Sequence, residues 1–224
     1  MSSTPGTADP NEISDEALQN IIIGEVKPHN APITIVDYDP AWPRLFSREE
    51  QRIRVALGDA ALRLEHVGST SVPGLAAKPI IDILLVVNDS GDEASYVPAL
   101  EAVGYVLRAR EPEWFEHRVL RGPETAINMH VFSDGVAEIE RMLRFRDRLR
   151  HSDADRDLYE RTKRTLARRT WRHMQHYANA KSAVVEEILA RAAADKLVDA
   201  ETGGPYSGAL RAEPPIMKGD MTPA

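Results

Sequence analysis

The sequence predicts an α/β domain whose C-terminal half is helical. An apolar run at residues 80–87 is interrupted only by Asp82. Such a run is typical of a strand buried on both faces of a sheet, because the alternation of apolar and polar residues is lost there. Shorter strand and helix patterns surround it between residues 32 and 132. Long helical patterns then follow at about residues 136–150, 153–169 and 179–199.

The N-terminal half is predicted to alternate strands and helices. Residues 1–30 are polar and weakly patterned, so we expect an extension before a domain at residues 31–199. A first strand is expected at residues 32–37. Trp42-Pro43 is a typical helix start and Gly58 a typical helix end. The following elements are a strand at 62–67, the apolar strand, a helix at about 93–103 and a strand from Tyr105.

Residues 115–121 and 126–132 are predicted to form a hairpin around the loop at residues 122–125. If the residues that flank this loop pair, His117 lies directly opposite His130, with Cβ atoms about 5 Å apart. A slip of one residue would place the two side chains on opposite faces. The hairpin register is therefore a sharp test of this hypothesis.

The C-terminal half carries its own boundary signals. Ser152 and the acidic residues after it are typical of a helix start. After Thr202 the chain is rich in glycine and proline, so residues 200–224 are predicted to form a disordered tail.

The charge of the chain is unevenly distributed. A net charge of −7 argues against a general nucleic-acid-binding protein. Residues 140–172, however, hold twelve Arg/Lys against six Asp/Glu, so this segment carries +6 and the remainder −13. The basic segment is either a solvated helical surface or a surface that faces an anionic ligand.

The composition excludes several classes of site and location. The sequence has no cysteine, which excludes disulfides, thiolate metal sites and cysteine nucleophiles. No apolar run approaches the roughly 18 residues of a membrane span. The first ten residues lack the charged segment and apolar core of a secretory signal. We therefore expect a cytoplasmic protein without a membrane partner.

A loop rich in glycine, serine and proline, residues 68–79, precedes the apolar strand. Its small residues, hydroxyl groups and Lys78 suit an anion of the size of phosphate. It matches neither the Walker A pattern nor the dinucleotide-binding Gly-x-Gly-x-x-Gly pattern. Burying the Asp82 carboxylate in a strand costs hydration free energy, and a metal, a cation or a hydrogen-bond donor must offset this cost. An acid beside such a loop predicts metal-assisted phosphate chemistry, and the alternatives are a serine-rich turn and a structural carboxylate.

Residues 65–84, Glu-His-Val-Gly-Ser-Thr-Ser-Val-Pro-Gly-Leu-Ala-Ala-Lys-Pro-Ile-Ile-Asp-Ile-Leu, strongly resemble the signature of the GrpB-like (UPF0157) family. The resemblance spans about residues 33–192. It includes residues 38–43, residues 145–150, Tyr159, Lys163, Tyr177 and Lys181.

The resemblance implies a nucleotidyltransferase-like fold with a mixed sheet. It also implies that Gly68 and Ser69 form a phosphate-binding turn and that Asp82 is a metal-binding acid. Some members of the family are fused to dephospho-CoA kinase, which makes such a kinase a candidate partner.

The sequence departs from the implied pattern at two places. Nucleotidyltransferases generally carry a second acid two residues after the first, where this chain has Leu84. Glu65 on the preceding strand is the candidate to replace it as a metal ligand. The family's His-Leu-His-Val strand appears here as Asn-Met-His-Val at residues 128–131, so only His130 remains. Both departures weaken a mechanism that needs two metal ions or two histidines.

The helical half is predicted to supply the far wall of a cleft opposite the acid. Arg146 and Arg150 are four residues apart and share a helix face, as do Tyr159 and Lys163. Together with Lys181 these side chains would hold a phosphate or a carboxylate. Ion pairs with neighbouring acids are an equally simple explanation.

The sequence therefore predicts a protein that binds a nucleotide or another phosphorylated small molecule and transfers a nucleotidyl or phosphoryl group. Mg²⁺ and a nucleoside triphosphate are the candidate cofactors. The rivals are a binding module that has lost the second acid and a partner module of a kinase. Candidate catalytic residues are Asp82, His130 and Lys78. Candidate ligand contacts are Gly68, Ser69, Ser71, His117, Arg118 and the wall residues, and candidate metal ligands are Asp82 and Glu65.

Overall fold

A computed structural model describes residues 13–202 of the chain, with side chains described as far as residue 195. The strands are β1 (Arg63–Val67), β2 (Ile81–Val87), β3 (Val106–Glu111), β4 (His117–Arg121) and β5 (Ile127–Ser133). They form one sheet in the order β1-β2-β5-β4-β3. β2 and β5 are parallel, and the other neighbouring strands are antiparallel. The predicted α/β class with a mixed sheet is confirmed.

Seven α-helices belong to the described residues. They are α1 (Asp15–Ile21), α2 (Trp42–Leu57), α3 (Val97–Ala102), α4 (Ala137–His151), α5 (Asp153–Ala167), α6 (Met174–Asn179) and α7 (Ser182–Thr202). The predicted signals operate as expected, since Pro43 lies in the first turn of α2 and Ser152 accepts a hydrogen bond from the Asp155 N–H at the start of α5. None of the described helices has the length and apolar composition that crossing a membrane requires.

Contacts divide the described chain into a unit that ends at Ala192 and a unit that begins at Ala193. The second comprises, among the described residues, the end of α7. The predicted disordered tail lies outside the described residues except for its first three positions, which belong to α7. Of the predicted extension, residues 13–30 are described and include α1.

The two faces of β2 are buried by different helices. Its odd-numbered side chains belong to a core that includes residues of α2 and α3, such as Ile53 and Leu100. Its even-numbered side chains Leu84 and Val86 pack with Ile139 and Leu143 of α4. Because successive side chains of a strand alternate, Asp82 lies on this second side, which we call the α4 face. The prediction of a strand buried on both faces is confirmed.

The predicted hairpin forms, but with a different register. Val119 pairs with His130, and Arg121 pairs with Asn128, so the predicted pairing is wrong by two residues. In the connection, the Ile127 side chain packs against Gly122, where a Cβ would come within 2.6 Å of it. The shift is an even number, so His117 and His130 remain on one face as diagonal neighbours.

The predicted first strand, residues 32–37, is wrong. This segment makes isolated bridges at its ends, between Ala31 and Trp171 and between Val36 and Ala77, and joins no ladder of the sheet. Ile33 packs with Trp171 in a small separate cluster. Its alternating pattern therefore reflects burial against helices.

Candidate functional site

The glycine-rich loop begins with a tight turn at Gly68, beside Asp82. The φ angle of Gly68 is +68°, a left-handed conformation that side-chain-bearing residues rarely adopt. A Cβ at this position would lie 2.2 Å from Asp82 Oδ2. Glycine is therefore required both by the backbone conformation and by the approach of the main chain to the carboxylate.

Ser69–Ser71 continue the chain as a single 3₁₀ turn. Ser71 Oγ donates to the Gly68 carbonyl at 2.6 Å, and Thr70 Oγ1 donates to a carbonyl just before β2 at 3.1 Å. Both residues are buried, whereas Gly68 is exposed and Ser69 half-buried. Of the predicted phosphate contacts, Gly68 and Ser69 border the open side of the turn, and the Ser71 hydroxyl stabilises the turn itself.

Asp82 is held from β5. Its Oδ1 accepts a hydrogen bond from Asn128 Nδ2 at 3.1 Å and lies 3.7 Å from His130 Nε2. Asp82 pairs with Asn128 across the parallel strands, and His130 follows two residues later on the same face. The side chain of Asp82 remains 27% exposed. The carboxylate is thus oriented by an amide and still open to a ligand.

A row of hydrogen-bonding groups leads from Asp82 across the sheet, and we call Glu111, His117 and His130 the histidine array. His130 Nδ1 lies 3.1 Å from His117 Nε2, and His117 Nδ1 lies 2.7 Å from Glu111 Oε2. The two imidazole rings stack with centroids 5.3 Å apart. Burial lowers the pKa of His117 against the opposing effect of Glu111. A neutral His117 with one nitrogen bonded to Glu111 is suited to fix the tautomer of His130.

Three lysine side chains lie around the Gly68 turn and Asp82. Lys163 is buried in α5 and donates to Ser69 Oγ at 3.0 Å and to the Ala76 carbonyl. Burial and the nearby charge of Lys181 lower the pKa of Lys163 to about 7. Burial also lowers the pKa of Lys78. The charge of Asp82 opposes this shift, and the charge of Lys181 adds to it. Within residues 13–195, none of these three ammonium groups takes part in an ion pair.

The aromatic residues of the predicted wall support these lysines. The Tyr159 ring lies 4.8 Å from Lys163 Nζ and packs edge-on against Phe145. The Tyr177 ring lies 4.7 Å from Lys181 Nζ. The ring faces offset part of the cost of burying the cations.

The arginines of α4 are engaged by the protein itself. Arg146 Nη1 donates to Glu65 Oε2 at 2.7 Å. The Arg150 guanidinium donates twice to the Ser71 carbonyl, at 2.8 and 3.1 Å. These two predicted phosphate contacts therefore hold α4 against β1 and the glycine-rich loop.

Arg118 does not join the site. Its position in β4 alternates with that of His117, so it faces the side of the sheet opposite Asp82. There it is buried and bonded to Glu93 at 2.6 Å and to Glu116 at 3.0 Å. His117 and Arg118 are both predicted ligand contacts, but neighbouring residues of a strand face opposite sides of the sheet, so only His117 lies on the side of Asp82.

The carboxylates do not form a two-metal centre. Glu65 pairs with Leu84 across β1 and β2, and its oxygens accept from Arg146 and Arg63. Burial opposes ionisation of Glu65, but these hydrogen bonds outweigh it and lower its pKa. In the described part of the chain, no three His, Asp or Glu side chains converge as metal ligands. The protein donor set would fit at most one Mg²⁺, to which Asp82 would contribute a single carboxylate.

Two residues of the site carried too little signal in the sequence. In the sequence, Asn128 is only a departure from a histidine, whereas in the structure it is the donor that orients Asp82. Glu111 belongs to no sequence motif, and it pairs with His117 across β3 and β4. Cross-strand pairing could have suggested Glu111, but a register irregularity between Leu107 and Ala109 hides it from simple counting.

Comparison with known proteins places the chain among related bacterial sequences. A UPF0157 protein of Halalkalibacterium halodurans is 64% identical over 190 residues, which cover 85% of this chain and 94% of that protein. The crystal structure of GrpB from Enterococcus faecalis has a TM-score of 0.60 and 31% sequence identity, covering 73% of this chain and 99% of that one.

A shorter similarity connects the chain with a kinase. A dephospho-CoA kinase of Mycolicibacterium paratuberculosis is 42% identical over 78 residues, which are 34% of this chain and 19% of the kinase.

The family model described as GrpB protein matches residues 32–191. This match covers the sheet, the Gly68 turn, Lys78, Lys163 and Lys181. The chain therefore belongs to the GrpB family.

Proposed function

We propose that this protein binds the phosphate group of a small molecule at the Gly68 turn. The observation that carries the proposal is the grouping of Lys78, Lys163 and Lys181 around the turn, with Asp82 as the nearby acid. Cations gathered without ion-pair partners repel one another, and this repulsion raises the free energy of the folded chain. A bound dianion would remove that cost.

The main chain of the turn adds to this preference. The first N–H groups of a helical turn have no partner within the turn, and here they follow the exposed Gly68. Such N–H groups favour an anion. Since the depressed pKa values of Lys163 and Lys78 have like charge as one cause, a phosphate would raise both and bind with uptake of protons.

Asp82 would hold one Mg²⁺ in this site. The ion would take its remaining ligands from water and from the phosphate, and it would offset phosphate charge. Binding of the phosphorylated ligand would then be stronger when Mg²⁺ is present.

Nucleotidyl or phosphoryl transfer is the second candidate function, and the histidine array favours it. His130 would accept the proton of an attacking hydroxyl as a general base, with Glu111 orienting it through His117. Leu84, fully buried where a second acid would stand, favours binding without transfer. The related dephospho-CoA kinase makes CoA precursors suitable probes, and makes such a kinase a candidate partner.

Isothermal titration calorimetry with inorganic pyrophosphate, nucleotides and CoA precursors, each with and without Mg²⁺, tests the binding proposal. We expect Lys78→Gln to weaken pyrophosphate binding about tenfold, which corresponds to about 1.4 kcal/mol. Arg54→Gln is the matched control, because Arg54 is an exposed α2 residue paired with Glu50. Equal affinity of Lys78→Gln and wild type, or no pyrophosphate binding by wild type, would contradict the proposal.

Turnover separates the two candidates. If the protein transfers a group, Asp82→Asn and His130→Gln should each lower metal-dependent release of product from a bound nucleoside triphosphate, while His130→Gln leaves pyrophosphate affinity nearly unchanged. Binding without any product formation supports the module that has lost transfer.

A further inference from the structure

A cavity of about 820 Å³ lies beside the candidate phosphate site. Residues 13–29, the ends of β3, β4 and β5, and α6 contribute to its walls. Pockets of about 300–1,000 Å³ are the usual size for small organic ligands. A phosphate group alone would leave most of this space unfilled.

The N-terminal wall of the cavity is fixed to the rest of the fold. Ile22 makes a β-bridge with Ala109 in β3, and the Ile23 N–H donates to the Arg108 carbonyl at 2.8 Å. At the other end of this wall, His173 lies 3.0 Å from Asp15 Oδ1. Residues 13–29 therefore complete a binding surface on the α4 face.

The cavity shares two lining residues with the surroundings of Asp82. Asn128 and His130 line it, and the same side chains lie 3.1 and 3.7 Å from Asp82 Oδ1. Arg121 also lines it and interacts electrostatically with Lys78. A ligand in the cavity would therefore lie next to groups that contact Asp82 and Lys78.

The lining has the chemistry of a site for an organic anion. Leu18, Val119 and Met174 provide apolar surface, while Arg108, Arg121 and Lys27 provide positive charge and Glu25 and Glu111 negative charge. Lys27 pairs with Glu25 and Glu111 is bonded to His117, whereas neither guanidinium takes part in an ion pair among residues 13–195. Since polar groups that converge on an apolar pocket fix the orientation of a ligand, the arginines mark where its negative charge would lie.

We propose that this cavity binds the organic group of a diphosphate or longer phosphate ester, whose phosphates extend from Arg121 past Lys78 to the Gly68 turn. The inference rests on the proposed phosphate site and adds the class of ligand. Arg121 and the three lysines carry more positive charge than Asp82 offsets. A phosphate monoester brings about −1.5 to −2, so a diphosphate matches the remaining charge better.

Val119→Trp tests the cavity directly. Val119 is half-buried and lines the cavity next to His130, so an indole would occupy the space of the organic group. Val55→Trp is the matched control, because Val55 is 80% exposed on α2. The probes are inorganic pyrophosphate and a panel of nucleoside diphosphates and CoA precursors, titrated calorimetrically against the full chain.

We expect at least one organic diphosphate to bind more tightly than pyrophosphate. Val119→Trp should lower the affinity for that compound at least about tenfold and change the affinity for pyrophosphate less than about twofold. The reason is that the cavity would contact the organic group, which pyrophosphate lacks. Val55→Trp should change neither. The inference is overturned if no organic diphosphate exceeds pyrophosphate, or if Val119→Trp leaves its affinity unchanged.

Arg121→Gln provides a second measurement that does not depend on how β4 accepts a tryptophan. Arg121 is exposed, so its replacement should leave the fold intact. We expect it to weaken the organic diphosphate about tenfold, and unchanged affinity counts against the inference. Absence of pyrophosphate binding in wild type removes the proposed function instead, so the two failures are distinguishable.

Discussion

The arginines of α4 and the lysines around the Gly68 turn look alike in the sequence but have opposite environments. Arg146 is paired with Glu65, and Arg150 donates twice to the Ser71 carbonyl. Lys78 and Lys181 lie near each other. Asp82 is close to Lys78 and the Tyr177 ring is close to Lys181, but neither lysine has an ion-pair partner in the described part of the chain. The comparison teaches that a positive charge alone does not identify a ligand contact. Basic residues with carboxylate or carbonyl partners in the protein support the site, and those without an ion-pair partner are the candidates to contact a ligand.

Among the variants considered, replacing Arg146, one of the two supporting arginines of α4, should lower the free energy of unfolding the most. Arg146→Met leaves Glu65 with Arg63 alone and should lower the free energy of unfolding by about 3 kcal/mol, since breaking a largely buried ion pair is costly. Urea denaturation measures this value. Arg54→Met, at an exposed pair, should cost less than about 0.5 kcal/mol. A similar small cost for Arg146→Met would refute its structural role.

Two glycine variants sharpen the comparison at the turn itself. Gly68 and Gly74 both have positive φ, but a Cβ at Gly74 meets nothing within 4 Å. Gly74→Ala should therefore cost about 1 kcal/mol of backbone strain. Gly68→Ala should cost a further 1–2 kcal/mol or so, because the methyl group displaces Asp82. Thermal unfolding compares the two, and equal costs would show that the contact with Asp82 imposes no constraint.

The pH dependence of stability sharpens the description of the lysines. The pKa of Lys163 is lowered from 10.5 to about 7 in the folded chain, so between these values the unfolded chain binds more protons. Stability contributed by this group is therefore lowest below pH 7 and rises toward pH 10.5, by about 1.4 kcal/mol per pH unit between the two pKa values. The difference in unfolding free energy between wild type and Lys163→Met should show this rise. A difference that is independent of pH would contradict the lowered pKa of Lys163 in the folded chain.

The smallest expected effect concerns Lys78 in the absence of ligand. Because Lys78 has no ion-pair partner among residues 13–195, Lys78→Gln should change unfolding free energy by less than about 0.5 kcal/mol in either direction. Denaturant titration without phosphate provides the measurement. A loss comparable to that of Arg146→Met would place Lys78 with the supporting residues.

Much of the fold followed from local patterns. The apolar run around Asp82, the start of α2 at Trp42-Pro43 and the cap at Ser152 were all recognisable, because each depends on neighbouring residues. The strand expected at residues 32–37 was not present, since its alternation is satisfied by helices that lie far along the chain. Local periodicity reports burial on one side without reporting which element provides it.

The site was predictable in outline but not in its partners. Gly68, Asp82 and the lysines lie together, whereas the hairpin register that sets His117 beside His130 differs by two residues from the one predicted. The partner of Arg146 depends equally on the docking of α4 against β1. Such pairings follow from tertiary packing, and residue type alone does not determine them.

The parallel pairing of β2 with β5 has a consequence for the nascent chain. Asp82 and its partner Asn128 are 46 positions apart, while β4 and β5 are close neighbours in sequence. During synthesis, therefore, the most apolar strand of the sheet keeps one unpaired edge until residues 127–133 have left the ribosome. Unpaired edges of this kind promote aggregation. Ribosome-released chains that end before residue 127 should accordingly aggregate more than chains that include β5.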